Sequence, residues 1–202
     1  MEKIEKDIEK ISVHLSKKQS EFDKAMQYSR DIIRCAGLAI TMMHNGDIKK
    51  AKRKVSELKV KISELSKIDK QFKYNTFQAY QEYAEAVVSL SIKESSRIPT
   101  ISEVGVEEEA YLMGLMDAVG ELKREVLESL RKGEIKEAER YFDFMERIYD
   151  STRTLRFAEA VLNGFRKKQD TARIQIENAG SEILMFKSRE FNSKKRQQNV
   201  SF

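Results

Sequence analysis

Glu82 and Glu85 stand three residues apart inside Tyr80–Glu94, a stretch with no glycine and no proline. On a helix, at about 100° per residue, that spacing puts both carboxylates on one face. Ser89 falls within roughly 60° of them, and Tyr80, Tyr83, Ala84, Val87, Val88 and Leu90 form a broad apolar arc on the other side. A second pair, Asp117 and Glu121, has i, i+4 spacing, opposite a face made by Tyr111, Leu112, Leu115, Ala118, Val119, Leu122 and Val126. If the two polar faces meet, four hard oxygen donors would suit Mg²⁺ or Mn²⁺. Such an ion lowers the pKa of a bound water and clamps phosphate oxygens during an in-line attack. With 33 acids in the chain these spacings also arise by chance, and on spacing alone solvated helix faces are the default account.

Few other groups compete for chemistry. The two histidines, His14 and His44, lie on different turns of the chain, which argues against a two-histidine acid–base site. Cys35 is a lone cysteine in a helical setting and reads as core, with no disulfide framework or zinc knuckle. No Gly-rich dinucleotide fingerprint and no Walker loop are present.

The elements that must position the acids are helices. Only 8 Gly and 1 Pro interrupt 202 residues, of which 35% are charged, too few breakers for a strand-and-turn fold. Ile4, Ile8, Ile11, Leu15, Phe22, Met26, Ile33 and Leu38 predict a first helix to about Met43. Gly46 and Asp47 then stop it and cap a second helix over Ile48–Lys67. After a break near Ile68–Asp69, a third helix holds Glu82 and Glu85. Thr100 and Glu103 have capping-box spacing. Further helices are expected over Glu107–Leu130 and Glu134–Ser151, then from Leu155 or Phe157 into the 180s with interruptions near Gly164 and Gly180. Residues 1–187 are expected to form one all-α bundle of six or seven helices, and residues 188–202 a basic, disordered tail.

Net charge is +5, but unevenly spread. Lysines and arginines crowd Asp47–Lys73 and again follow Lys187, an arrangement that attracts a polyanion or simply keeps a surface soluble. No apolar run approaches the roughly 20 residues needed to cross a bilayer, and the charged start MEKIEKDIEK does not suit a signal peptide. A cytoplasmic protein is expected.

FKYNTFQAYQEYAEA (72–86) and YLMGLMDAVGELKRE (111–125), with RYFDFMERIYDS (140–151) and GFRKKQDTARIQIE (164–177), resemble the translin family. That family is all-α, assembles into octameric shells and binds single-stranded RNA and DNA. Its TRAX branch carries an acidic, Mg²⁺-dependent endoribonuclease site, similar to QEYxEA on one helix and GxxDxxGEL on a later one. Both patterns stand here, as Gln81–Ala86 and Gly114–Leu122. The resemblance therefore implies Glu82, Glu85 and Asp117 as catalytic and metal-holding acids, with Glu121 as a nearby ligand or base. It also implies a homo-octamer cleaving single-stranded RNA with Mg²⁺ or Mn²⁺, or else a non-catalytic single-stranded DNA and RNA binder of the translin type. The His-rich basic segment of translin proper is replaced by Lys70-Gln71-Phe72-Lys73-Tyr74, so Lys70, Lys73 and Tyr74 become the nucleic-acid candidates. The long insertion of animal TRAX is missing.

Overall fold

Asn45-Gly46-Asp47 reverses the chain in three residues, with Gly46 at φ +80°, a left-handed conformation that a side chain would strain. In a computed structural model of the protein, the backbone is described for residues 2–199 and the side chains for residues 3–192. Seven helices and no strand occur among the described residues. The chain packs as two compact units, residues 1–90 and 91–202.

In the first unit α1 (Glu2–His44) and α2 (Ile48–Ile68) pack along each other as a hairpin. Ala25, Ile32, Ala36 and Ala39 of α1 and Ala51, Leu58, Ile62 and Leu65 of α2 are buried. The small alanines let the two backbones approach closely, as ridges entering grooves require. Met43, Ala51 and Leu90 close the turn end of the hairpin, with Ile40, Met42, Ile48 and Val55 around them. Phe22 meets Phe72 edge to face at 5.3 Å between ring centroids. Asp47 makes no side-chain cap bond, contrary to expectation, and instead pairs with Lys50 at 2.8 Å. Cys35 is half-buried, not core.

Helix α3 (Lys73–Ser95) carries the chain from the first unit into the second. There Lys93 pairs with Glu125 at 2.6 Å, and Arg140 donates to the Ile92 carbonyl at 3.2 Å and to Ser96 Oγ at 3.1 Å. The short α4 (Ile101–Val104) opens with the capping box anticipated at Thr100 and Glu103. The Glu103 carboxylate accepts from Arg97 at 2.8 Å and from the Thr100 backbone N–H at 2.7 Å. Arg97 first, then that N–H, lowers the Glu103 pKa from 4.5 to about 2. A depressed folded-state value contributes stability that is complete above the unfolded value and is lost as pH falls through the folded one. The gap in urea midpoint between wild type and Glu103→Gln should therefore be full at pH 6 and shrink between pH 4.5 and about 2. A gap independent of pH would remove this assignment.

Helices α5 (Glu108–Arg131), α6 (Ile135–Thr152) and α7 (Phe165–Asn199) pack against one another in the second unit. Their core holds Leu115, Met116, Val119, Leu122, Val126, Phe144, Met145, Ile148 and Ala172. The last helix differs from expectation in three ways. Residues 153–164 are turns instead of helix, pinned where Gln169 Nε2 donates to the Thr152 carbonyl at 2.7 Å and the Gly164 N–H donates to Glu159 at 2.7 Å. Gly180 does not interrupt α7. A Cβ there would stand 3.3 Å from the Phe142 ring, so the glycine makes room for an aromatic side chain of α6. Finally, α7 continues to Asn199, because nothing from residue 188 onward supplies a glycine or proline to stop it; residues 200–202 lie outside the described part.

Candidate functional site

The face of α3 that carries Glu82 and Glu85 is not the wet helix face that the sequence suggested. Glu85 is 8% exposed and Ser89 8% exposed, while Glu82 is half-buried. Between the two acids Tyr83 is 2% exposed, and burial pushes its hydroxyl pKa upward. Helical spacing aligns Glu82, Glu85 and Ser89 in one stripe, as expected. Hiding that stripe from solvent needs tertiary structure, which periodicity does not report. Ser89 Oγ has no hydrogen-bond partner among the described residues. A buried hydroxyl without a partner costs about 1–3 kcal/mol, so its place beside two carboxylates calls for something to satisfy it.

The α5 acids lie one turn and more beyond Gly114, which is buried with Met113, Leu115 and Met116. Asp117 and Glu121 are both half-buried. Asp117 Oδ1 is held by the Lys168 ammonium of α7, in an ion pair whose two side chains are 28% and 23% exposed. The pair spans 51 residues of sequence, so no local signal could have announced it. It sits in a cleft of about 390 Å³ lined by Met113, Met116, Gly164, Lys167, Thr171 and Gln175 as well.

The basic turn between α2 and α3 presents the nucleic-acid candidates outward. Lys70 and Lys73 are exposed, and Tyr74 is 89% exposed. What holds this turn is Asp69, 0% exposed, whose Oδ2 accepts from Thr76 Oγ1 at 2.7 Å and from Tyr80 Oη at 2.8 Å. The Asp69 carbonyl also accepts from the Phe72 N–H at 2.6 Å. Sequence reading placed Asp69 only at a helix break. Its signal was the recurrence of hydroxyls at Thr76 and Tyr80, seven and eleven residues on, which share one face of α3.

Among the described residues no group of three or more His, Cys, Asp and Glu side chains is arranged to hold a metal ion. Within each unit the acids therefore stand as a pair. In atom type alone the candidates suit a hard divalent cation: every one is an oxygen, and the unpartnered Ser89 hydroxyl stands in register with Glu82 and Glu85 on α3.

Relatives bear on which reading to prefer. The translin family profile matches residues 1–179. The chain belongs to the translin family. An uncharacterized protein of Methanocaldococcus jannaschii is 34% identical over 180 residues, which span 86% of this chain and 79% of that protein. Among solved structures, an AfC3PO–duplex RNA complex is similar with a TM-score of 0.83 and 27% identity, covering 92% of this translin-family chain and 98% of that one. Apo-NeC3PO is similar with a TM-score of 0.78 and 26% identity, covering 89% and 96% respectively. The all-α architecture read from the sequence is thus that of the family.

Proposed function

We propose that this translin-family chain is a Mg²⁺- or Mn²⁺-dependent endoribonuclease that works as a homo-oligomer. The observation that carries the reading is the burial of Glu85 and Ser89, in one stripe with the half-buried Glu82. Solvated acids would account for the spacing at no cost, whereas enclosing Glu85 and leaving the Ser89 hydroxyl unpartnered costs stability, which suits a surface kept for a ligand. Glu82, Glu85 and Asp117 would hold the cation, and Glu121 would be a further ligand or take the proton of the attacking water. When bound, the cation supplies a more acidic water and neutralises charge developing on the phosphate. Lys70 and Lys73 hold the RNA backbone, and the exposed Tyr74 ring stacks on a base.

An AfC3PO structure with duplex RNA supports RNA as the ligand, while the exposed lysines and ring suit a single strand. End-labelled RNA in single-stranded and duplex form, incubated with Mn²⁺ or with EDTA, tests the activity. Cleavage that EDTA does not suppress, or none in Mn²⁺, would overturn it. Binding to single-stranded RNA should weaken steeply with salt, by about 0.7 log units per log unit of salt for each phosphate neutralised. Lys73→Ala should lower that slope by roughly one contact. For assembly, Ile4, Ile8, Ile11 and Leu15 of α1 are 52–71% exposed at three- and four-residue steps, an apolar stripe suited to a second copy. An octamer is the state proposed. No helix among the described residues is long and apolar enough to cross a membrane, which accords with a cytoplasmic setting.

A second reading rests on Lys168. An Asp117 already neutralised by a lysine of the same chain is also what a non-catalytic nucleic-acid binder would show.

A further inference from the structure

Helices α5 and α7 face each other across the cleft of about 390 Å³. Met113, Met116 and Asp117 lie on one face of α5, three and four residues apart. Lys168, Thr171 and Gln175 share one face of α7 by the same periodicity. Lys167 and Lys168 stand in the wall against a single carboxylate, Asp117, which Lys168 engages. The lining therefore carries one positive charge in excess, that of the exposed Lys167. A single phosphodiester brings the same amount with the opposite sign. The buried Met113 and Met116 make an apolar, polarisable wall that suits the face of an aromatic ring. Gln175 supplies an amide, donor and acceptor at once. A Cβ at Gly120 would stand 3.3 Å from Gln175 Nε2, so this glycine lets the amide lie close against α5. From Lys168 to Gln175 the helix rises about 10 Å, comparable to the reach of one nucleotide from phosphate to base edge.

We propose that the α5–α7 cleft seats one unpaired nucleotide of a bound RNA strand, in addition to the contacts of Lys70, Lys73 and Tyr74. Lys167 holds the phosphate, the base lies against Met113 and Met116, and Gln175 bonds the base edge. The Asp117 carboxylate fixes the Lys168 ammonium beside the phosphate, and the seat needs no metal ion. The inference rests on single-stranded RNA being the ligand of this chain, and adds where a base of that strand goes. A base enters such a cleft only when splayed out of a helix. The seat therefore selects single strands over duplex.

The test is binding and photo-cross-linking of the full chain, in EDTA, with a short oligouridine strand carrying 4-thiouridine. In wild type, irradiation should link the modified base to α5 around Met113 and Met116 or to α7 around Thr171. Lys167→Gln should bind the strand about five- to tenfold more weakly and lower its salt slope by about 0.7. Lys136→Gln, an equal loss of charge on an exposed residue of α6, should stay within about twofold of wild type. Thr171→Leu fills the cleft from its exposed side. It should weaken the single strand about fivefold and leave duplex RNA within about twofold. Cross-links confined to residues 70–74, with wild-type affinity in Lys167→Gln, would overturn the cleft as a seat and leave RNA as the ligand. Equal weakening of duplex by Thr171→Leu would overturn the seat for an unpaired base. Free UMP displacing the strand at equal concentration would assign the cleft to a mononucleotide and overturn its part in strand binding. No RNA binding by wild type at low salt would overturn both this seat and the proposed function.

Discussion

Glu85→Gln is expected to lower Mn²⁺-dependent RNA cleavage by about a hundredfold or more while leaving RNA affinity near wild type. Glutamine keeps the size and one carbonyl oxygen of glutamate but removes the charge, so the change falls on electrostatics and not on packing. Positioned charges and acid–base groups of this kind each contribute about 10²–10⁴ in rate. The amide is a better choice than alanine because Glu85 is 8% exposed, and a cavity left there would confuse lost stability with lost catalysis. Glu82→Gln, on a half-buried neighbour, should lose similar activity with less effect on folding. Asp117→Asn should also lose activity, with a stability cost, because it leaves the Lys168 ammonium three-quarters buried without its carboxylate. RNA affinity measured at low salt separates these outcomes from misfolding, since Lys70, Lys73 and Tyr74 lie at or just before the start of α3, at least eight residues before Glu82. Cleavage by Glu85→Gln at the wild-type rate would remove the α3 acids from the mechanism.

How much of this was legible beforehand depends on the range of the interaction. The Thr100–Glu103 capping box and the Gly46 turn are hydrogen-bond and backbone preferences acting over a few residues, so sequence spacing suffices. The stripe of Glu82, Glu85 and Ser89 is equally local, because helical periodicity sets it. Its burial is not, and amphipathic spacing wrongly suggested water on that face. Gly180 misleads for the same reason: as a residue it reads as a breaker, and only the Phe142 ring of α6 explains it as a contact. Lys168 sits in a run of four polar and charged residues, Arg166-Lys167-Lys168-Gln169, where nothing marks it as the partner of an aspartate on α5. Asp69 is the intermediate case. Its break in the helical pattern was visible, but its 0% exposure was not.

Asp69 gives the largest stability effect expected outside the apolar core. Asp69→Ala should destabilise the protein by about 3 kcal/mol, because hydrogen bonds to a charged group contribute about 1.5–3 kcal/mol each and neighbouring losses do not add fully. The substitution removes the shared acceptor of Thr76 and Tyr80. Thr76 keeps only the longer contacts, 3.4 Å to the Phe72 carbonyl and 3.4 Å to that of Lys73. Asp69→Asn should cost less, since an amide oxygen can still accept at the Oδ2 position. It does not rescue fully, because its NH₂ falls where Oδ1 has no partner among the described residues. A double-mutant cycle of Asp69→Ala with Tyr80→Phe, read by urea denaturation, should show a coupling of about 1 kcal/mol or more. Hydrogen exchange locates the effect: the amides of Phe72, Asn75 and Thr76, which bond across this turn, should lose protection before those of α2. The turn that loosens is the one displaying Lys70, Lys73 and Tyr74, so a buried carboxylate with no contact to RNA fixes where the nucleic-acid groups point. Wild-type denaturation midpoints in Asp69→Ala would show that the turn is held by something else.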